Sequence, residues 1–197
     1  MKQLAIFLIP LALFGCGASE PKGPVVSKEP TSIRGWIADA EGVDNGTYRT
    51  VETEAARKMT LFQVTNIWVD GAPYVSGGVA ENGSFILLDV PPGNITIEFS
   101  APPQIPSAKL VLKSIPGNAD VLVPGVILKK DGTVGVADPS VIEVRTAAKI
   151  EKSHPTGQKV TVAGIQVPVI ETPLAQMMSR RDWPQPPSTG VSLPTVK

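Results

Sequence analysis

The chain has 197 residues, and its 18 basic and 18 acidic side chains give a formal net charge of zero. Nucleic acids and anionic surfaces select strongly basic proteins, so this balance argues against both as charge-driven partners. The 20 prolines and 18 glycines are more than a helical protein tolerates, because proline lacks an amide donor and glycine costs entropy in a helix. The composition therefore predicts short strands joined by turns, in one domain of ordinary size with long tails.

The first residues have the pattern of a secretory signal. A basic start at Lys2 is followed by an apolar run over residues 4–15, which is shorter than the roughly 20 residues that span a bilayer. Residues 1–15 are therefore predicted to be a signal peptide that directs export. The run ends at Cys16, the only cysteine of the chain, so no disulfide framework competes for this thiol.

The motif Leu13-Phe14-Gly15-Cys16 resembles the lipobox of bacterial lipoproteins, although the position of Phe14 is usually small in that family. The resemblance implies that the Cys16 sulfur receives a diacylglycerol and that, after cleavage, the new amine is acylated with a palmitate-type chain. It also implies a lipid-anchored protein at a bacterial membrane, in the outer membrane facing the periplasm or the cell surface. The alternative is an ordinary signal peptide whose cysteine is discarded.

The segments at both ends of the mature chain are predicted to lie outside the core. Residues 16–31 contain little apolar surface and are predicted to form a flexible linker. Residues 171–197 are predicted to form a short helix and a proline-rich tail. The helix is expected at 173–181, with Thr172 as its N-cap and Pro173 at its first position. The large apolar side chain of Trp183 is expected to hold part of the tail against the domain.

Between these ends, period-2 alternation predicts β-strands. Residues 95–100 alternate strictly, which places Ile95, Ile97 and Phe99 on one face. The pair Asn82-Gly83 predicts a hairpin with a primed turn between strands at 75–80 and 84–90. A second hairpin is predicted at 130–133, between strands at 126–128 and 134–136. Further strands are predicted at 32–38, 61–69, 109–115, 121–123 and 160–169, and a short helix at 51–59, where acidic residues precede basic ones as the helix dipole favours.

Two stretches resemble the carboxypeptidase regulatory-like domain family. Residues 33–42 alternate around a glycine and reach an aspartate and a turn glycine, and residues 82–97 carry a turn glycine, a phenylalanine, a short apolar strand, Pro-Pro-Gly and another strand. The resemblance covers 32–130 and implies an all-β fold, a transthyretin-like or immunoglobulin-like β-sandwich of about seven strands. Additional strands are expected at 131–170. The segment 41–59 is longer than the usual connection of the family.

The sequence contains no convincing catalytic or metal-binding motif. His154 is the only histidine, and its polar surroundings predict a solvated loop. No Gly-x-Ser-x-Gly elbow is present, and a zinc site would need further histidine or cysteine ligands. The acidic residues at 39–45 lack the EF-hand spacing of a calcium loop, and turn formation explains them. The chain is therefore predicted to be a non-enzyme without metal or cofactor.

Three functions remain open at this point. The leading hypothesis is a non-enzymatic, lipid-anchored envelope protein whose β-sandwich has a binding or structural role toward a protein or glycan. One alternative is a carbohydrate-binding module with Trp36, Trp68 and Tyr74 as stacking platforms, although alternation alone does not show which face of the Trp36 strand is buried. The other is an accessory subunit of a secretion or transport complex, in which residues 174–178 or the tail dock on a partner.

Overall fold

A computed structural model describes residues 31–41, 54–102 and 105–178. The signal peptide, Cys16, nearly all of the predicted linker and the proline-rich tail lie outside these ranges. The fold is all-β, as the sequence predicts, and the described ranges contain eleven strands and two short helices. The elements are β1 Thr31–Ala40, α1 Glu54–Val64, β2 Asn66–Val69, β3 Ala72–Gly78, β4 Ser84–Val90, β5 Gly93–Ala101, β6 Ile105–Ile115, β7 Ala119–Leu128, β8 Val134–Val136, β9 Glu143–Ala148, β10 His154–Val162, β11 Ile165–Pro173 and α2 Leu174–Met178, with a 3₁₀ turn at Pro139–Val141.

The strands follow one continuous path that folds into two layers. Their order is β3-β2-β5-β6-β10-β11-β9-β7-β1-β4, and β8 pairs with β7. Strands β6 and β10 share only two residue pairs, so the path bends there and places β3-β2-β5-β6 against the remaining strands. Strands β3 and β4, at the two ends of the path, contact each other. The result is a nearly closed β-sandwich in which β1–β7 supply the first seven strands and β8–β11 extend the same sheet.

One hydrophobic core fills the space between the layers. The predicted alternation of β5 is confirmed, since Ile95, Ile97 and Phe99 are all buried. Phe85 and Leu87 of β4 face the same core, and the Phe85 ring meets the edge of Phe99 at a centroid distance of 5.4 Å and an interplanar angle of 80°. This T-shaped arrangement is favourable for aromatic pairs, and it fixes the two layers against each other.

The strand predicted at 61–69 is wrong over its first half. The helix α1 extends to Val64, beyond the end predicted for it, and β2 starts only at Asn66. Leu61 and Phe62 are 1% and 2% exposed, so this end of α1 is inserted into the core. Short helices depend on such docking rather than on propensity, which is why the local sequence does not reveal the extension.

The paired hairpin predicted at Asn82-Gly83 is also wrong, although a turn forms there. The turn is closed by hydrogen bonds from the Gly83 and Ala80 amides to the carbonyls of Ala80 and Ser84, each 2.8 Å long. Beyond it, β3 pairs with β2 and β4 pairs with β1. Gly83 has a φ of 84°, whereas Asn82 is not in the left-handed region, so the turn is not of the primed type that keeps two strands paired.

Of three further predictions about turns and element ends, one is confirmed and two are wrong. The hairpin at 130–133 is confirmed, because β7 and β8 pair across it. The single strand predicted at 160–169 is in fact the end of β10 and the start of β11, joined by a turn in which Ala163 and Gly164 both have positive φ. Thr172 and Pro173 belong to β11 rather than to the start of a helix, and α2 begins at Leu174.

Candidate functional site

The outer face of the β1–β7 pair carries a buried carboxylate. The two strands are parallel, with Ser32 beside Asp120 and Arg34 two residue pairs further along. Ile33 and Ile37 face the core, so alternation places Arg34 and Trp36 on the outer face, which settles the orientation that the sequence left open. Asp120 is 4% exposed, although it lies on this outer side.

The Asp120 carboxylate is held by two neighbours on β1. Arg34 donates from Nε at 3.2 Å and from Nη2 at 2.9 Å to Oδ1, and Nη2 also lies 2.9 Å from Oδ2. The Ser32 hydroxyl donates to the same Oδ1. Charge-assisted hydrogen bonds of this kind are stronger than neutral ones and fix the planes of both groups. The cluster therefore anchors β1 to β7 and forms a rigid polar floor on the outer face.

Beside this floor lies a cleft with a volume of about 420 Å³, which we call the apolar cleft. Its rim carries Leu88 and Leu174, whose side chains are 57% and 55% exposed, and Ile86, which is 46% exposed, lies two residues before Leu88 on β4. The cleft is lined by Thr31, Ser32, Leu88, Asp89, Asn118, Ala119, Asp120, Ala147, Leu174 and Met177. This lining contains two carboxylates and no basic side chain, so the cleft combines aliphatic surface with negative charge.

The apolar cleft lies at the end of the domain where the predicted linker joins it. Thr31, the first residue of β1, is part of its lining. Asp89 and Asn118, which also line it, have positive φ angles of 58° and 53°. Aspartate and asparagine enter the left-handed region more readily than other side-chain-bearing residues, and these two turn the chain sharply at the ends of β4 and before β7. The cleft is thus shaped by turns and supported by rigid strands.

A second cleft, which we call the polar cleft, lies along the outer face of β9 and β11. Its volume is about 550 Å³, and it is lined by Pro139, Ser140, Ile142, Glu143, Arg145, Ser153, Gln166, Val167, Pro168, Ile170, Thr172 and Gln176. Arg145 and Glu143 form an ion pair with 2.5 Å between Nη2 and Oε2. Thr172 is 2% exposed, and its hydroxyl has no hydrogen-bond partner among the described residues.

The helix α2 lies between the two clefts. Leu174 and Met177 line the apolar cleft, whereas Gln176 lines the polar cleft. The Ser153 hydroxyl hydrogen-bonds to Oε1 of Gln176 at 3.1 Å, which ties the polar side of α2 to the segment before β10. One turn of helix therefore presents opposite chemistry to two neighbouring surfaces.

The three predicted stacking residues lie on three different strands. Trp68 lies on β2 and Tyr74 on the adjacent β3, while Trp36 lies on β1, on the far side of the seam between β3 and β4. Tyr74 is 52% exposed, and both tryptophans are partly buried. Neither cleft is lined by any of the three. Cys16, the predicted lipidation site, lies outside the described residues.

The other residues considered from the sequence stand apart from both clefts. His154 is the first residue of β10 rather than a loop residue, and its Nε2 lies 3.5 Å from Oε2 of Glu171, with the two side chains 54% and 38% exposed. Within the ranges described, no group of three or more histidine, cysteine or acidic residues is arranged to hold a metal ion. Most of the acidic stretch at 39–45 falls outside those ranges.

No helix in the described part of the chain is long and apolar enough to cross a membrane. No protein-family model matches the sequence, and no curated protein matches it either. A solved structure, a type II cohesin–X-dockerin complex from Acetivibrio cellulolyticus, contains a chain that is 16% identical with a TM-score of 0.33. The alignment covers 55% of this chain and 59% of that chain. A similarity this low does not assign a family or an activity.

Among the residues that line the two clefts, the sequence predicts a docking role only for those of the segment 174–178. One of the others had a local signal, because Asp120 interrupts an otherwise apolar run over residues 119–126, and a charged residue in a buried strand requires a partner. Leu88 and Thr172 had no such signal. Their significance depends on which strands become neighbours and on where α2 docks.

Proposed function

We propose that this protein is a non-enzymatic, lipid-anchored subunit of the bacterial envelope that holds a partner protein in the apolar cleft. The proposal includes the acylation of Cys16 and the kinship of residues 32–130 with carboxypeptidase regulatory-like domains. The observation that carries it is the exposure of Leu88 and Leu174 on the rim of one cleft. Contiguous apolar surface of this kind on a soluble domain typically marks an interaction site.

The position of the cleft supports a role close to a membrane. The cleft includes the first residue of β1, and residues 17–30 of the predicted linker span at most about 50 Å when fully extended. An acylated Cys16 would therefore keep the cleft within that distance of the lipid surface. A partner embedded in or attached to the same membrane would be met at high local concentration.

The chemistry of the cleft indicates what kind of segment it accepts. Leu88 and Leu174 offer aliphatic contacts, while Asp89 and Asp120 contribute negative charge, of which the second is offset by Arg34. Complementarity favours a partner segment with aliphatic side chains next to a basic residue. This agrees with the accessory-subunit hypothesis, in which residues 174–178 contact a partner.

Photo-crosslinking in native membranes tests the proposal. A photoreactive phenylalanine analogue at Leu88 should give one dominant protein adduct, and the adduct should disappear in the Leu174→Asp variant. Val111 on β6 is the matched control, because it is also an exposed aliphatic side chain, at 40%, but it is not part of either cleft. Equal adducts at both positions, or none at Leu88, would refute a partner in the apolar cleft. Mass spectrometry of the mature N-terminus separately tests the anchor, and an unacylated terminus beyond Cys16 would refute it.

A further inference from the structure

We propose that the polar cleft is a second binding site, which takes a neutral oligosaccharide. The first observation is the hydroxyl of Thr172, which lines the cleft, is buried and has no hydrogen-bond partner in the described part of the chain. A buried polar group without a partner is costly and therefore rare in folded proteins. A ligand hydroxyl in the cleft would supply the missing bond.

The electrostatics of the cleft favour an uncharged ligand. Glu143 and Arg145 are the charged side chains of its lining, and they neutralise each other by direct contact. Oε2 of Glu143 is buried and has this ion contact but no hydrogen bond from the described residues. An anionic or cationic ligand would have to compete with the existing pair, whereas a neutral ligand leaves the pair intact.

The polar groups along the cleft match the alternating donors and acceptors of a sugar. Gln166 donates from Nε2 to the Thr161 hydroxyl at 2.7 Å, which leaves its Oε1 as an acceptor. Gln176 accepts from Ser153 through Oε1, which leaves its amide group as a donor. Side-chain amides of this kind can bond to neighbouring ring hydroxyls in both directions.

The length of the cleft indicates more than one sugar ring. Its lining runs along β11 from Gln166 to Thr172, and six residues of strand extend over about 20 Å. Pro168 and Ile170 lie between these ends and offer apolar surface to the carbon faces of the rings. The volume of about 550 Å³ is within the usual range for small-molecule sites.

An extended peptide fits the same cleft less well. Peptides that bind to sheets usually add a strand to an exposed edge, where main-chain groups are free. Strand β11 is paired on both sides, with β10 and β9, and β9 is paired with β11 and β7. The cleft therefore offers side chains rather than main-chain groups, which is the arrangement that a saccharide requires.

The experiment uses the full chain in detergent and three neutral trisaccharides, cellotriose, maltotriose and triacetylchitotriose, with trigalacturonic acid as a charged comparison. Saturation-transfer NMR detects binding, and calorimetric titration gives the dissociation constant. We expect at least one neutral trisaccharide to bind, and both Thr172→Val and Gln166→Leu to weaken it at least fivefold. The Lys113→Ala variant, which changes an exposed residue on β6, should bind as the wild type does.

The result that overturns the proposal is the absence of saturation transfer from all three neutral sugars, tighter binding of trigalacturonic acid, or equal affinity in the cleft variants. If Thr172→Val does not fold, the exposed Gln166→Leu variant decides, since its side chain is not needed for the core. Leu88→Asp should leave sugar binding unchanged, because the apolar cleft lies on the other side of α2. Loss of the partner adduct and loss of sugar binding are therefore separable.

Discussion

Replacing Asp120 with alanine should destabilise the domain by about 3 kcal/mol. Removing one member of a buried ion pair costs about 3–5 kcal/mol, because the other member stays partly desolvated and loses that charge contact. The Arg34 side chain is 23% exposed, so water can solvate part of its guanidinium group, and the lower end of that range applies. The Ser32 hydroxyl loses its acceptor as well.

The matched control is Lys109→Ala. It removes a second ion pair, in which Nζ lies 3.8 Å from Oε2 of Glu98 and the lysine side chain is 51% exposed. Exposed pairs contribute about 0.2–1 kcal/mol, so this variant should remain within about 1 kcal/mol of the wild type. Both variants remove one partner of an ion pair between neighbouring strands, but only Asp120→Ala also removes several hydrogen bonds at a buried position.

Urea unfolding followed by tryptophan fluorescence measures both variants on the full chain. For a domain of this size, a loss of about 3 kcal/mol corresponds to a decrease in Tm of about 6–12 °C. In a double-mutant cycle, Asp120→Ala and Arg34→Ala should show a coupling above about 1 kcal/mol, as residues in direct contact do. If Asp120→Ala costs no more than Lys109→Ala, the ion pair does not anchor β1 to β7 and the reasoning fails.

Two further predictions concern the backbone and the pH dependence of a turn. Gly35→Ala should lower the free energy of unfolding by at least about 4 kcal/mol, because the new Cβ would lie 2.1 Å from a carbonyl oxygen of β7. Losses of this size occur only with severe defects in the core. At Gly78 a Cβ meets nothing within 4 Å, so Gly78→Ala should change the free energy of unfolding by no more than about 0.5 kcal/mol in the same assay. Equal losses of stability in the two variants would refute the steric explanation. Hydrogen bonds from the Thr133 hydroxyl, and to a lesser extent from the Thr133 amide, lower the pKa of Asp131 below its ordinary value. The ionised Asp131 therefore stabilises the turn at pH values above its pKa in the unfolded chain, and this contribution is lost as the pH falls through its pKa in the folded chain. The Thr133 amide resonance should therefore titrate at a lower pH than Asp131 does in a short peptide, and an equal midpoint would contradict the assigned bonds.

The regular strands were accessible from the sequence because their signals are local. The alternation of β5 identifies its buried side chains, and the turn at 130–133 identifies the β7–β8 hairpin, since both depend on residues close together in the chain. Helix α1 and the divergence of β3 from β4 were not accessible. In each of these cases a contact with a distant element decides the outcome, namely the insertion of Phe62 into the core and the pairing of β4 with β1.

The candidate sites also depend mainly on contacts between distant parts of the chain. Trp36, Trp68 and Tyr74 attract attention by their residue type, and the structure places them on three strands and in neither of the two clefts described above. The two clefts are built instead from Asp120, Thr172 and other residues whose chemistry is unremarkable in isolation. Their roles follow from the parallel pairings of β1 with β7 and of β9 with β11, which join segments that are far apart in sequence.

By itself, the sequence determined the all-β class and the inward faces of its clearest strands, and it also supplied the prediction of an exported, Cys16-anchored chain. These properties depend on composition and on short-range periodicity, which are written into consecutive residues. The tertiary structure alone decided the strand order, the outward direction of Arg34 and the location of the two clefts beside α2. Strand pairing is a long-range choice made by the whole core, and no local pattern encodes it.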